Sequence, residues 1–101
     1  MGRSFSIEPK EVGRVKTRFR RIATKIPAPE SLEVLRSLHR CEPVAMIGQP
    51  PIVWDRAEGF QVHDRYGNVW LDWSSGVLVA NAGHAAKEVR NAILPSSARL
   101  Y

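Results

Sequence analysis

A single cysteine, Cys41, is all the sulfur chemistry this chain offers for cross-linking. An internal disulfide and a cysteine-based zinc site are both excluded, and a reducing, cytoplasmic setting is the simpler expectation. No apolar run approaches the ~20 residues that span a bilayer, so no membrane partner is expected. The N-terminus has no apolar core of a secretory signal. Nor is there a Gly-rich phosphate loop: Gly76 and Gly83 stand alone and match neither the P-loop nor the dinucleotide fingerprint. Ser74-Ser75-Gly76 lacks the flanking glycine pattern of a nucleophile elbow.

What is present is unevenly charged. The formal charge of the 101 residues is +5. Residues 1–25 carry Arg3, Lys10, Arg14, Lys16, Arg18, Arg20, Arg21 and Lys25 against Glu8 and Glu11, while residues 26–101 are close to neutral. The basic character therefore belongs to an arm and not to the body. Residues 1–25 read as a basic, flexible arm. Ile7, Val12, Val15, Phe19 and Ile22 could form the stripe of a short helix there, interrupted by Gly13. The cluster Lys16–Arg21 would make cheap phosphate contacts, but no nucleic-acid module follows it, so a nucleic-acid partner is not expected.

Residues 26–94 carry the structural pattern. Ile26-Pro27-Ala28-Pro29 predicts a stiff boundary, with Pro29 opening a helix whose apolar face holds Leu32, Leu35 and Leu38, with Val34 beside them. Beyond Pro50-Pro51, Ile52–Trp54 reads as a short strand. Phe60–His63 and Val69–Trp73 then flank a turn at Asp64–Asn68, which predicts an antiparallel hairpin with Gly67 in the left-handed position. Phe60 and Val62 are expected on one strand face; Val69, Leu71 and Trp73 share a face of the other, with Trp70 opposite. Ser74–Gly76 breaks the strand, and a helix is expected from about Ala86 to Leu94, stopped by Pro95. Residues 95–101 carry no pattern and read as an irregular tail.

The chemistry-bearing residues mostly have bland readings. His39, His63 and His84 are far apart in sequence and read as hydrogen-bonded structural histidines; no metal site is expected. Asp55, Asp64 and Asp72 fall at strand ends and turns, where aspartate bonds local amides. Trp54, Trp70 and Trp73 fit that reading less well. They bring large apolar area to a hairpin too thin to bury it, so a neighbour outside these residues is expected to cover them.

The ordered string from Pro51 to Val77 contains Glu58-Gly59-Phe60, Asp64-Arg65-Tyr66-Gly67, Leu71-Asp72-Trp73 and Ser74-Ser75-Gly76-Val77, and continues to Asn81-Ala82-Gly83-His84. It resembles the N-terminal signature of class-III pyridoxal-phosphate aminotransferases, the family of 4-aminobutyrate, ornithine and acetylornithine aminotransferases. The upstream Pro27-Ala28-Pro29-Glu30-Ser31 and Gly48-Gln49-Pro50-Pro51 are similar too. The family usually has a second His-Pro after Gly-His, where this chain has Ala86-Lys87. The resemblance implies an α+β fragment: a helix, a small antiparallel hairpin or sheet and a following helix, in the small domain of a fold-type-I transferase. It implies amino transfer between an amino acid or ω-amino donor and a 2-oxo acid, by a homodimer holding pyridoxal 5'-phosphate. It also implies that Gly76 and Val77 wall the substrate pocket. Lys25 and Lys87 do not stand in a Schiff-base context. No catalytic or cofactor-binding residue is therefore assigned, and no cofactor is expected on this chain alone. The competing expectation is a stand-alone binding module, whose basic arm and tryptophan-rich hairpin dock an acidic protein or nucleic acid.

Overall fold

In the computed structural model, residues 5–46 and 48–97 are described. The start of the arm and the last four residues of the expected tail lie outside them. Five short strands form one antiparallel sheet in the order β1-β2-β5-β4-β3. They are β1 (Val15–Lys16), β2 (Arg21–Ile22), β3 (Arg56–Glu58), β4 (Gln61–His63) and β5 (Val69–Leu71). Helix α1 (Leu32–Cys41) follows a 3-10 turn at Pro29–Ser31, and helix α3 (Lys87–Ser97) closes the described chain. Between β5 and α3 lies α2 (Ser75–Leu78), a four-residue turn of unusual hand. The protein is thus a small α+β chain.

The expected antiparallel hairpin forms, and the structure gives its register. Gln61 pairs with Leu71, Val62 with Trp70 and His63 with Val69, and Gly67 has φ 91° at the turn. Asp64 builds that turn: its Oδ1 accepts the amides of Tyr66 (2.8 Å) and Asn68 (2.9 Å). Val62 is buried and faces Trp70 across the ladder. Phe60, expected beside Val62, is 52% exposed because the strand has already turned at Gly59–Phe60.

Four expectations change. Residues 15–22 form a hairpin and not a short basic helix. Thr17 shapes its turn by receiving the Arg20 amide on its hydroxyl oxygen (3.0 Å), and Arg21 pairs with Val69 at the sheet. Ile52–Trp54 is not a strand. The Ile52 amide bonds Pro50 in a tight turn, and the ladder starts only when the Asp55 amide reaches the His63 carbonyl (2.8 Å). On α1, Leu35 is buried and Leu32 half-buried, but Val34 and Leu38 are exposed, so the helix covers only part of the expected face. Helix α3 runs through Pro95 to Ser97, which corrects the irregular tail over 95–97. A proline removes one backbone bond near the helix end, and the remaining bonds suffice to carry the turn on.

The core is thin. Ile22, Ala28, Leu35 and Val62 are its buried apolar residues, with Pro27 beside them. The radius of gyration is 16.3 Å, against about 13 Å for a compact domain of this length. The difference, with Trp73 at 90% exposure, describes an open structure that presents apolar surface.

One polar residue ties the arm to the hairpin. Asn68 is buried, and its Oδ1 accepts the amides of Ala23 (2.7 Å) and Thr24 (3.2 Å). Its Nδ2 donates to Thr24 Oγ1 (2.9 Å) and Asp64 Oδ2 (2.6 Å). A side chain on the hairpin turn thus satisfies backbone donors some forty-five residues away.

Candidate functional site

Among the described residues, unusual backbone, a buried ion-pair geometry and exposed apolar side chains coincide from Asp72 to His84. Asp72 ends β5, its amide bonded to the Phe60 carbonyl (2.9 Å). Its carboxylate turns back on the following loop. Oδ1 accepts the Ser74 amide (3.0 Å) and hydroxyl (2.9 Å), and Oδ2 accepts the Gly76 amide (2.7 Å). Oδ2 also faces His84 Nε2 at 2.6 Å. The Asp72 side chain is 4% exposed and that of His84 15%. The His84 bond, then those from Ser74 and Gly76, hold the Asp72 carboxyl down at about 2 against the opposing effect of burial. Asp72 is therefore ionised throughout the neutral range, and His84 Nε2 is the donor.

His84 is placed by backbone. Gly59 and His84 exchange amide bonds, Gly59 donating at 2.9 Å and His84 at 2.7 Å. Gly83 permits this approach: its φ is 88°, and a Cβ there would come within 3.3 Å of Gly59 Cα. The Trp54 ring meets the imidazole edge-on, with centroids 5.5 Å apart.

Against this pair winds α2. Ser75 (φ 52°), Gly76 (58°), Val77 (63°) and Leu78 (66°) all lie in the left-handed region. The turn closes through Leu78 to Ser74 (2.8 Å) and Val79 to Ser75 (3.0 Å). Only Gly76 adopts this conformation freely. Each of the other three costs roughly 1–2 kcal/mol, so neighbouring contacts must hold the turn. Gly76 is also where the turn comes nearest the histidine, since a Cβ there would lie 3.3 Å from His84 Cε1. The turn leaves Val77, Leu78 and Val79 exposed, at 69%, 77% and 83%.

Gly76 and Val77, the two residues expected at a substrate wall, line an open concavity of about 570 Å³ together with Trp54, Trp70, Trp73 and Asp72. All three tryptophans meet there. Trp54 and Trp73 are exposed, and Trp70 buries its Nε1 without a hydrogen-bond partner. The lining is mostly apolar, with Gln49, Asp72 and Ser74 as its polar members, a composition suited to a small ligand or a covering protein surface.

The other candidates stay apart. His39 lies on α1, and His63 sits on β4 with Nδ1 3.3 Å from Arg56 Nη2. Among the described residues no cluster of three His, Cys, Asp or Glu could hold a metal, and no described helix is long and apolar enough to cross a membrane. Lys10, Lys16, Lys25 and Lys87, the four lysines of the chain, are exposed, and none lines the concavity. Asp55 pairs with Arg65 (2.7 Å), raising the guanidinium pKa further. Asp64 and Asp72 bond local amides as their positions predict. The pairing of Asp72 with His84 was missed. The signal was present in the Asp that ends one strand and the His that follows Gly83, but nothing local says that they meet.

No protein-family model matches the chain, and no solved structure matches it. Among curated proteins, it is similar to 4-aminobutyrate aminotransferase of Mycobacterium leprae (strain TN), with 32% identity over 74 residues. That match covers 73% of this chain and 17% of the relative, so the chain spans about a sixth of the curated protein it resembles.

Proposed function

We propose that the chain is the N-terminal segment of a pyridoxal-phosphate-dependent aminotransferase of class III and of fold type I. The observation that carries this reading is the 74-residue likeness to an aminotransferase. The motif string from Glu58 to His84 supports it, as does the exposed apolar wall around Val77. The complete enzyme would move an amino group between an amino acid or ω-amino compound and a 2-oxo acid, as a homodimer. Within it, Gly76 and Val77 would form one side of the substrate pocket. Gly76 keeps bulk away from His84, and Val77 offers an apolar contact.

Pyridoxal phosphate would supply an electron sink for amino transfer when bound. The residues here do not fit it. Holding it takes a lysine in the pocket, and all four lysines are exposed and away from the concavity. The remaining part of such an enzyme would have to provide that lysine, the acid for the ring nitrogen and the phosphate cradle. On this reading the chain alone does not transaminate.

The experiment is a chimera. Residues 51–84 replace only their aligned counterparts in the Mycobacterium leprae 4-aminobutyrate aminotransferase, and transamination is measured. Retained turnover supports the reading. A chimera that takes up cofactor as a folded dimer, yet has no turnover, argues against it.

A further inference from the structure

We infer that Asp72 and His84 are positioning residues: together they latch the left-handed turn Ser75–Leu78 and so aim Val77 into the concavity. This deepens the pocket-wall reading and rests on it only for what Val77 meets. The latch itself is a property of this chain.

Two donors reach Asp72 Oδ2, the Gly76 amide at 2.7 Å and His84 Nε2 at 2.6 Å. The first comes from the turn and the second from a residue anchored elsewhere. The backbone bonds that close the turn run from Leu78, Val79 and Ala80 to Ser74 and Ser75, within the loop itself. The Asp72–His84 pair instead joins the turn to the sheet, because His84 is fixed to Gly59 by two amide bonds and braced by Trp54. Asp72 is fixed to Phe60 on the same side. Sheet, carboxylate, imidazole and turn thus form a closed loop of contacts. His84 also packs against the turn at Gly76, with Cε1 3.3 Å from a Cβ position there. Three non-glycine residues hold positive φ next to this loop of contacts. That is the arrangement expected when surroundings impose a conformation that the residues themselves disfavour.

The test uses the whole chain, labelled with ¹⁵N. Backbone couplings report the sign of φ at Val77 and Leu78, and amide exchange reports opening of the turn. The β4–β5 amides serve as the control for folding. His84→Leu keeps bulk and removes the donor; His84→Gln restores an amide donor near the Nε2 position. The wild-type chain is expected to show positive φ at both residues. In His84→Leu the Gly76 and Leu78 amides should exchange on the order of tenfold faster or more, with the positive-φ signature averaged out. His84→Gln should recover most of both. A role in packing alone predicts the opposite ranking, with His84→Leu like wild type and His84→Gln impaired, and that ranking overturns the proposal. Should His84→Leu disturb the hairpin as well, the wild-type ring decides. Long-range ¹H–¹⁵N spectra must show a proton on His84 Nε2, and an imidazole protonated only at Nδ1 overturns the latch.

Discussion

Replacing Asn68 by Ala should release the N-terminal hairpin from the sheet while leaving the β4–β5 hairpin in place. Four hydrogen bonds disappear with the carboxamide: two from the amides of Ala23 and Thr24, one to Thr24 Oγ1 and one to the Asp64 carboxylate. A neutral bond contributes about 1 kcal/mol, and one to a carboxylate about 1.5–3 kcal/mol. Water reaches the part-buried partners once the side chain is gone, so a net loss of about 3 kcal/mol follows and not the full sum. At 1.4 kcal/mol per tenfold, the Ala23 and Thr24 amides should exchange on the order of a hundredfold faster. Exchange at Val62 and Trp70 should change by less than about threefold, because they pair with each other within the hairpin. The assay is native-state hydrogen exchange followed residue by residue. If Ala23 and Thr24 exchange within about threefold of wild type, Asn68 is not the tie described here. If both hairpins open together, the arm and hairpin are one cooperative unit and the local account is wrong.

Three further outcomes follow from the same structure. The Asp72 carboxyl, held at about 2 against an ordinary value of 3.8, contributes stability that is fully present above about pH 4 and is lost as pH falls toward 2. The difference corresponds to roughly 2 kcal/mol, and an acid titration followed by circular dichroism should flatten over this window in Asp72→Asn. Val77→Gly removes a β-branched residue from φ 63°; despite the lost side chain, it should firm the turn by about 1 kcal/mol, read as roughly fivefold slower exchange at Leu78 and Val79, and faster exchange would contradict the strain described. Mixing the chain with pyridoxal phosphate and reducing with borohydride should label no lysine stoichiometrically. One lysine fully labelled would overturn the view that the chain alone lacks a cofactor site.

The elements that sequence revealed are those specified locally. The β4–β5 hairpin is announced by alternation around Asp64–Asn68, and the Asp64 carboxylate that shapes its turn bonds amides within it. Helix α1 is announced by Pro29 and the leucine spacing. The arm was misread because its strands are two residues each, too short to alternate, and because the residue that fixes them is Asn68, remote in sequence. Ile52–Trp54 has the composition of a strand, but Pro50 and Pro51 start a tight turn that delays the ladder until Asp55. At the candidate site, Gly76 and Val77 were named from the resemblance, and the structure places both on the concavity. What could not be read was the hand of the turn. Ser75, Val77 and Leu78 have no intrinsic preference for positive φ, so that conformation follows from Asp72 and His84, which meet only once the sheet has formed. The exposure of Trp54 and Trp73 agrees with the view that a hairpin this thin leaves its tryptophans uncovered.

The most direct measurement is a substrate titration of the aminotransferase chimera carrying residues 51–84, with Val77 as found and as Val77→Phe. The account predicts that both forms hold the cofactor with the same absorbance. It also predicts that the KM for the amino donor rises by on the order of tenfold or more in Val77→Phe, as an aromatic ring enters the pocket from this wall. Equal KM values in two cofactor-loaded, active chimeras would show that Val77 does not face the substrate, and the assignment of this segment as the pocket wall would fall.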